Sequence, residues 1–132
     1  MNVVMNYQYE PGDGRYKHKW KNSYAGFEQS GNGYVGKCDS TITTEIAKSE
    51  LNHGIPYDFE NRDHPSKIYV LYNGVIYEAV PTEYGTSYHA YPWRGDLPGR
   101  AIPLRVLREL ERVATEKGML REMRAWLKKY GQ

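Results

Sequence analysis

Two runs of apolar and aromatic residues, joined by Asn73-Gly74, form the clearest pattern in this chain. The first run, KIYVLY, starts at Lys67, and the second, VIYEAV, starts at Val75. β-Branched and aromatic residues favour strands, and Asn-Gly readily takes the two positive φ angles of a type I′ turn. The pattern predicts an antiparallel β-hairpin.

A third antiparallel strand is predicted directly after this hairpin. The turn sequence TEYG (82–85) leads into TSYHAY, and Pro92 ends the run because proline has no N–H to give to a sheet. Side chains alternate between the two faces of a strand. Ser87, His89 and Tyr91 are therefore expected on one face.

Helical patterns lie on both sides of these strands. Asp39 or Ser40 can cap a helix over about 40–52, and Pro103 suits the first position of another. A second C-terminal helix, MLREMRAWLKKY, is expected after Gly118. The first helix of the tail has an apolar stripe of Leu104, Leu107, Leu110, Val113 and Ala114. The chain is expected to have an α+β fold, with a small antiparallel sheet packed on one preceding helix and two C-terminal helices.

The first 33 residues have no sustained period. Gly, Asn and Ser interrupt this stretch, so residues 1–33 are expected to form a loop-rich arm or linker remnant, with at most one short strand in MNVVMNYQYE. Residues 34–132 are expected to form one globular domain. No apolar run reaches the roughly 18 residues that a membrane span requires. A single cysteine excludes an internal disulfide framework.

Charge is unevenly distributed along the chain, whose formal net charge is +2. Residues 1–93 hold 8 Lys or Arg and 11 Asp or Glu, a net charge of −3. Residues 94–132 hold 10 and 5, a net charge of +5. A basic half favours an anionic partner, although a solvated helix face can have the same composition.

The stretch TSYHAYPWRG carries the main candidate chemistry. Imidazole titrates near neutral pH, so His89 is a candidate general base or acid. The planar guanidinium of Arg94 can bind phosphate oxygens in pairs, and Ser87 and Tyr91 can position a substrate. These groups suffice for metal-independent RNA cleavage, in which a 2′-hydroxyl attacks its own phosphate. A hydrogen-bonded structural His89 is the alternative.

Basic and aromatic residues near this stretch are candidate substrate-binding groups. Arg100 and Arg105 can contact the phosphates of a nucleic acid, and Trp93 or Tyr91 can stack on an unpaired base. The chain has 13 tyrosines and 2 phenylalanines, so its aromatic surface keeps hydrogen-bonding groups.

Cys38 supplies a second enzymatic hypothesis. It directly precedes the predicted helix start, where the helix dipole favours a thiolate, and His89 on a later strand could serve as its base. The chain would then be a cysteine-dependent hydrolase or transferase. A lone cysteine is also common as a small buried apolar residue. The sequence has no H-E-x-x-H motif and no pair of cysteines. No metal or other cofactor is therefore expected.

The order of these segments resembles a known class of domains. GKCDSTIT, KIYVLYNGVIYEA, TSYHAYPWRG, LPGRAIPLRVLRELERVA and RAWLKKYG follow one another over residues 34–131. Together they resemble the C-terminal toxin domains of bacterial polymorphic toxins, of the kind carried on rearrangement-hotspot or contact-dependent-inhibition proteins.

The resemblance implies a secreted or delivered effector that acts in the cytoplasm of a competing cell and is held inactive by a cognate immunity protein. Many such domains are metal-independent ribonucleases. Within that class, His89 and Arg94, with Ser87 and Tyr91, match the catalytic pattern. A hypothesis of a different kind is a non-catalytic interaction or immunity-type module, in which the tyrosine-rich sheet binds a partner.

Overall fold

The structure is a computed structural model that describes residues 5–10, 22–30, 33–58, 63–96 and 100–131. Its central strands are those that the sequence predicts. Strands β5 (Lys67–Tyr72), β6 (Val75–Glu83) and β7 (Ser87–Pro92) run antiparallel in chain order. Asn73 and Gly74 have φ angles of 50° and 79°, which confirms the left-handed turn of the hairpin.

Two shorter strands extend this sheet at its edges. β4 (Ile55–Tyr57) pairs antiparallel with β5, whereas β1 (Gln8–Tyr9) pairs parallel with β7. The sheet therefore has five strands in the order β1-β7-β6-β5-β4, and it is mixed. The side chain of Asn52 exchanges two hydrogen bonds with the backbone of Tyr7, at 2.7 and 2.9 Å. These bonds stabilise a strand that is too short to be recognised from its sequence.

A separate hairpin occupies part of the predicted N-terminal arm and the residues after it. It consists of β2 (Gly26–Ser30) and β3 (Gly33–Lys37). Among the described residues, the arm thus contributes β1 to the main sheet and β2 to this hairpin. Residues 15–20 of the predicted arm, which are basic and aromatic, lie outside the described residues.

Three helices complete the described fold. α1 covers Thr44–Asn52, α2 covers Leu104–Lys117 and α3 covers Leu120–Tyr130. Gly118 caps the end of α2 with a left-handed φ of 70°, as the sequence predicts. Pro103 precedes the first residue of α2 instead of occupying that position. The first helix starts later than expected, because Thr43 rather than Asp39 or Ser40 caps it. The Thr43 hydroxyl accepts the backbone N–H of Ile46.

Alternation along the strands divides the core into two layers. The face with Leu71, Ile76 and Trp93 packs on α2 and α3. The opposite face, with Val70 and Tyr77, packs against Leu51 of α1. The predicted arrangement of one preceding helix and two C-terminal helices around the sheet is confirmed. Leu104 differs from its predicted place in the apolar stripe, since its side chain is 61% exposed.

Among the described residues, the search for a helix with the length and apolar character of a membrane span found none.

The hairpin turn generates a prediction about stability. A Cβ at Gly74 would collide with the Glu122 side chain of α3, whereas a Cβ at Gly118 would meet no atom within 4 Å. Both glycines have positive φ, so each replacement by Ala costs about 1–2 kcal/mol in backbone strain. Gly74→Ala should lower the free energy of unfolding by about 1–3 kcal/mol more than Gly118→Ala, measured by denaturant unfolding. Equal losses would contradict the close packing of the turn on α3.

Candidate functional site

A buried carboxylate lies at the centre of the polar part of the sheet. Glu78, in the middle strand β6, has no accessible surface. The Tyr91 hydroxyl donates a hydrogen bond of 2.6 Å to its Oε1, and the Tyr69 hydroxyl donates one of 3.1 Å to its Oε2. Both carboxylate oxygens are thus held from inside the protein, which a buried charge requires.

Two cations complete the arrangement on its solvent side. Lys67 Nζ lies 3.1 Å from Oε2 of Glu78, and an Arg100 guanidinium nitrogen lies 3.4 Å from Oε1. The Lys67 and Arg100 side chains are 21% and 38% exposed, so the cations reach solvent while the carboxylate does not. We call Glu78, Tyr69, Tyr91, Lys67 and Arg100 the Glu78 cluster.

Strand register explains why these groups meet. Tyr69 is the cross-strand partner of Glu78, and Glu78 is the partner of Tyr91. The three side chains therefore form one row across β5, β6 and β7 on the same face. Burial, and then the adjacent Glu78 carboxylate, raise the pKa of the Tyr69 and Tyr91 hydroxyls. Both phenols keep their protons at neutral pH and act as donors.

His89 lies on this same face, next to the row. It is half-buried and pairs with Val80, two residues from Glu78 along β6. Residues two apart along a strand are separated by roughly 7 Å, so His89 and Tyr91 are neighbours on this face. Its Nδ1 lies 2.8 Å from the Thr82 hydroxyl, which orients the ring. The structure thus brings His89 and Tyr91 together, as the alternation predicts.

Ser87 is also part of β7, but its side chain is buried, with 3% exposure. It lies where β7 meets β1, paired with Gln8 on one side and Glu83 on the other. The Ser87 hydroxyl is therefore shielded from solvent, unlike the half-buried side chains of His89 and Tyr91.

Arg94 lies elsewhere than the sequence suggests. Its guanidinium forms a two-pronged ion pair with Asp96, at 2.7 and 3.1 Å, and these hydrogen bonds lower the pKa of the Asp96 carboxyl. Its Cζ lies 5.2 Å from the centre of the Phe27 ring and 5.4 Å from that of Tyr130. Arg94 therefore connects β2 to α3, and Arg100 is the arginine that lies beside Tyr91.

Trp93 is buried in the core and connects it to the Glu78 cluster. Its side chain is only 3% exposed and packs in the layer formed with α2 and α3, so a base cannot stack on it in this arrangement. Its indole N–H donates to the backbone carbonyl of Arg100, and its own carbonyl accepts the indole N–H of Trp126. Trp93 thus fixes the backbone from which the Arg100 side chain extends.

The two arginines predicted to bind substrate each lie on a tyrosine ring. Arg100 Cζ is 5.0 Å from the centre of the Tyr91 ring, and Arg105 Cζ is 5.8 Å from that of Tyr57. Tyr57 is the cross-strand partner of Lys67, so both tyrosines lie on the face that carries Glu78. Cation–π contact of this kind holds the flat side of a guanidinium and leaves its in-plane N–H groups directed outward.

Cys38 is placed against the other face of the sheet. Its Sγ contacts the carbonyl of Ala90 at 3.9 Å, in an apolar cleft beside α1. Because α1 begins at Thr44, the helix dipole does not act on Cys38 as the sequence suggested. Burial, and then Asp39, raise the pKa of the thiol to about 12. The expected thiolate is therefore disfavoured, and His89 faces away from it on the opposite side of β7.

Three members of the cluster escaped the sequence analysis, namely Glu78, Lys67 and Tyr69. Their signal was present in the hairpin, because a two-residue turn sets Tyr69 opposite Glu78, and Glu78 interrupts an apolar run. A search for groups of metal-ligating side chains, over the residues that the structure describes, found none.

Comparison with protein-family models, with curated proteins and with solved structures found no match to this chain.

The buried thiol generates a prediction about pH dependence. An unfolded cysteine ionises near pH about 8.5, whereas folded Cys38 keeps its proton up to about pH 12. Above about pH 8.5 unfolding releases this proton, so the free energy of unfolding falls as the pH rises, by at most about 1.4 kcal/mol per pH unit for this group. Cys38→Ala removes this component.

The free energy of unfolding of wild type, minus that of Cys38→Ala, should therefore decrease between about pH 7 and pH 10 in denaturant titrations. Stability curves that stay parallel, or an advantage that grows with pH, would show that the folded thiol ionises readily.

Proposed function

We propose that this chain cleaves RNA without a metal ion at the sheet face that carries His89 and the Glu78 cluster. A single observation carries the proposal. His89 is half-buried on the sheet face that carries Tyr91. On the same face two cations that reach solvent, Lys67 and Arg100, are held by a carboxylate with no accessible surface. Proton transfer and charge stabilisation are the two contributions that phosphodiester cleavage needs from a protein.

In the proposed reaction, a ribose 2′-oxygen forms a bond to the adjacent phosphorus. The bond between that phosphorus and the 5′-oxygen then breaks, which leaves a 2′,3′-cyclic phosphate on one fragment and a 5′-hydroxyl on the other. A base removes the 2′-hydroxyl proton, and an acid supplies a proton to the departing 5′-oxygen. Since DNA lacks the 2′-hydroxyl, it is not a substrate.

His89 serves one of these two proton transfers, and water serves the other. The Thr82 hydroxyl contacts Nδ1 and orients the ring, and we assign the proton exchange with the substrate to Nε2. An imidazole can act either as a general base or as a general acid.

Arg100 and Lys67 stabilise the negative charge that grows on the phosphate oxygens. Glu78 is a positioning residue, because it holds both cations and the Tyr91 hydroxyl without being accessible itself. The Tyr91 ring supports the Arg100 guanidinium from below at 5.0 Å. Preorganisation of this kind lets the cations act without rearranging during the reaction.

The biological part of the proposal follows the resemblance to polymorphic toxin domains. In that setting the chain is an effector delivered into the cytoplasm of a competing bacterium, where it degrades RNA. A cognate immunity protein then protects the producing cell by covering the sheet face or its surroundings.

A non-catalytic binding module is the second candidate, and one observation favours it. Among the described residues, no buried side-chain nitrogen or oxygen lacks a hydrogen-bond partner, and the Glu78 carboxylate is saturated by four donors. A cluster that serves only stability would look the same. In that case His89 would be dispensable for the effect of the protein on a cell.

Expression in bacteria separates the two candidates. Tightly induced wild type should arrest growth and fragment total RNA on a gel, and His89→Ala should restore both growth and intact RNA. Cys38→Ala is the matched control and should remain toxic. Harmless expression of soluble, folded wild type would contradict the toxin proposal and leave the binding module.

Experiments with purified protein test whether Arg100, and not Arg94, stabilises the phosphate charge. Arg100→Ala should lower the rate of RNA cleavage by about 10²–10³-fold, since it removes a cation that stabilises the developing charge. Arg94→Ala should change that rate only a few-fold, because this side chain pairs with Asp96 beside α3. Rates are measured with a fluorogenic RNA on variants that retain the circular dichroism spectrum of wild type. A larger loss for Arg94→Ala would return the phosphate-binding role to Arg94.

A further inference from the structure

Two arginine–tyrosine pairs mark opposite ends of the same sheet face. The first, Arg100 on Tyr91, lies over β7, and the second, Arg105 on Tyr57, lies over β4. Three strand spacings separate these two strands, a distance of roughly 14 Å. Lys67, the cross-strand partner of Tyr57, lies between the pairs. Positive charge therefore extends across the sheet beyond the group of residues that would hold a single phosphate.

The two pairs differ in their anionic neighbours. Arg100 shares the Glu78 carboxylate with Lys67. Arg105 is exposed and forms no ion pair with any carboxylate in the part of the chain that the structure describes. Arg112, further along the same helix, pairs with both Glu109 and Glu116. Arg105 is thus an exposed cation, oriented by a ring, whose charge is not neutralised within the described fold.

Apolar surface lies next to this second pair. Leu104, the residue before Arg105, is 61% exposed. Exposed leucine beside an oriented arginine suits a nucleotide whose base is not paired, because the base can lie on the apolar side chain while its phosphate meets the guanidinium.

We propose that Arg105, Tyr57 and Leu104 form a second nucleotide-binding subsite, which makes single-stranded RNA of several nucleotides the substrate of the site. This inference rests on the proposed RNA cleavage and extends it. The scissile phosphate binds at Arg100 and Lys67, and the strand continues past Lys67 toward Tyr57, so that a further phosphate reaches Arg105. The Tyr57 ring holds one flat side of the guanidinium, and the in-plane N–H groups bind the phosphate oxygens.

The length of the RNA should therefore change how tightly it binds and should not change the rate of the chemical step. A dinucleoside monophosphate has a single phosphate and can occupy only the first subsite. A single-stranded octanucleotide occupies both. Loss of the Arg105 contacts should therefore weaken binding of the longer substrate and leave cleavage of the shorter one unchanged.

The experiment compares Arg105→Ala, Arg105→Lys and the matched control Arg112→Ala on these two substrates. Arg105→Ala should raise KM for the octanucleotide about tenfold, the effect of losing charge-assisted hydrogen bonds, with kcat nearly unchanged. Its kcat/KM for the dinucleoside monophosphate should equal that of wild type. Arg105→Lys should recover part of the loss, since it keeps the charge but not the planar fork. Arg112→Ala should match wild type on both substrates. Equal losses on both lengths, or no loss on either, would overturn the subsite.

A binding measurement separates failure of the subsite from failure of the cleavage proposal. Fluorescence anisotropy follows a labelled octanucleotide with 2′-deoxy sugars, which binds through its phosphates and cannot be cleaved. If wild type cleaves neither RNA but binds this strand, and Arg105→Ala weakens binding about tenfold, the subsite stands and cleavage is refuted. If wild type neither cleaves RNA nor binds the strand, both proposals are overturned. If wild type cleaves RNA and Arg105→Ala binds the strand as tightly as wild type does, cleavage stands and the subsite is overturned. Annealing the octanucleotide to its complement should reduce binding, and unchanged affinity would contradict the preference for a single strand.

Discussion

The carboxylate of Glu78 is the group on which the arrangement of the sheet face depends. An ion without solvent costs several kcal/mol to bury unless the protein replaces its hydration. Here two phenols and two cations do so, and they come from β5, β7 and the segment before α2. A slip of β5 or β7 by one residue would turn Tyr69 or Tyr91 to the opposite face and leave the charge unsatisfied. Glu78 therefore holds the three central strands in one register and places the two cations at the same time.

The helices divide this face into a part that is buried and a part that reaches solvent. α2 and α3 cover the row of Leu71, Ile76 and Trp93, whereas the row of Glu78 reaches solvent through Lys67 and Arg100. Trp93 joins the two parts, because its ring packs in the core and its indole N–H holds the backbone of Arg100. The position of the cation beside Tyr91 thus depends on core packing, and we expect changes in the core to displace it.

Local signals in the sequence were sufficient for most of the architecture. The Asn73-Gly74 turn, the strand ending at Pro92 and the helix stop at Gly118 each follow from backbone preferences of one or two residues. The edge strand β1 did not, since a two-residue parallel strand exists only through its partners β7 and Asn52. The start of α1 was misplaced because Asp39 bonds the Thr41 backbone and hydroxyl in a local turn instead of capping the helix.

The site was only partly predictable, because some of its contacts depend on residues that are distant in the sequence. Alternation places His89 and Tyr91 together, and the turn sets Tyr69 opposite Glu78, so these pairs are readable from sequence. Arg100 reaches Tyr91 through a connection whose path no local pattern specifies, whereas Arg94 has a nearer anion in Asp96. The most direct test of the central claim is the chemical identity of the product. Wild type acting on a DNA strand with one ribonucleotide should cut only after that sugar and leave a 2′,3′-cyclic phosphate, seen by mass spectrometry and absent with His89→Ala. An uncut strand, or a cyclic phosphate that persists in His89→Ala, would contradict it.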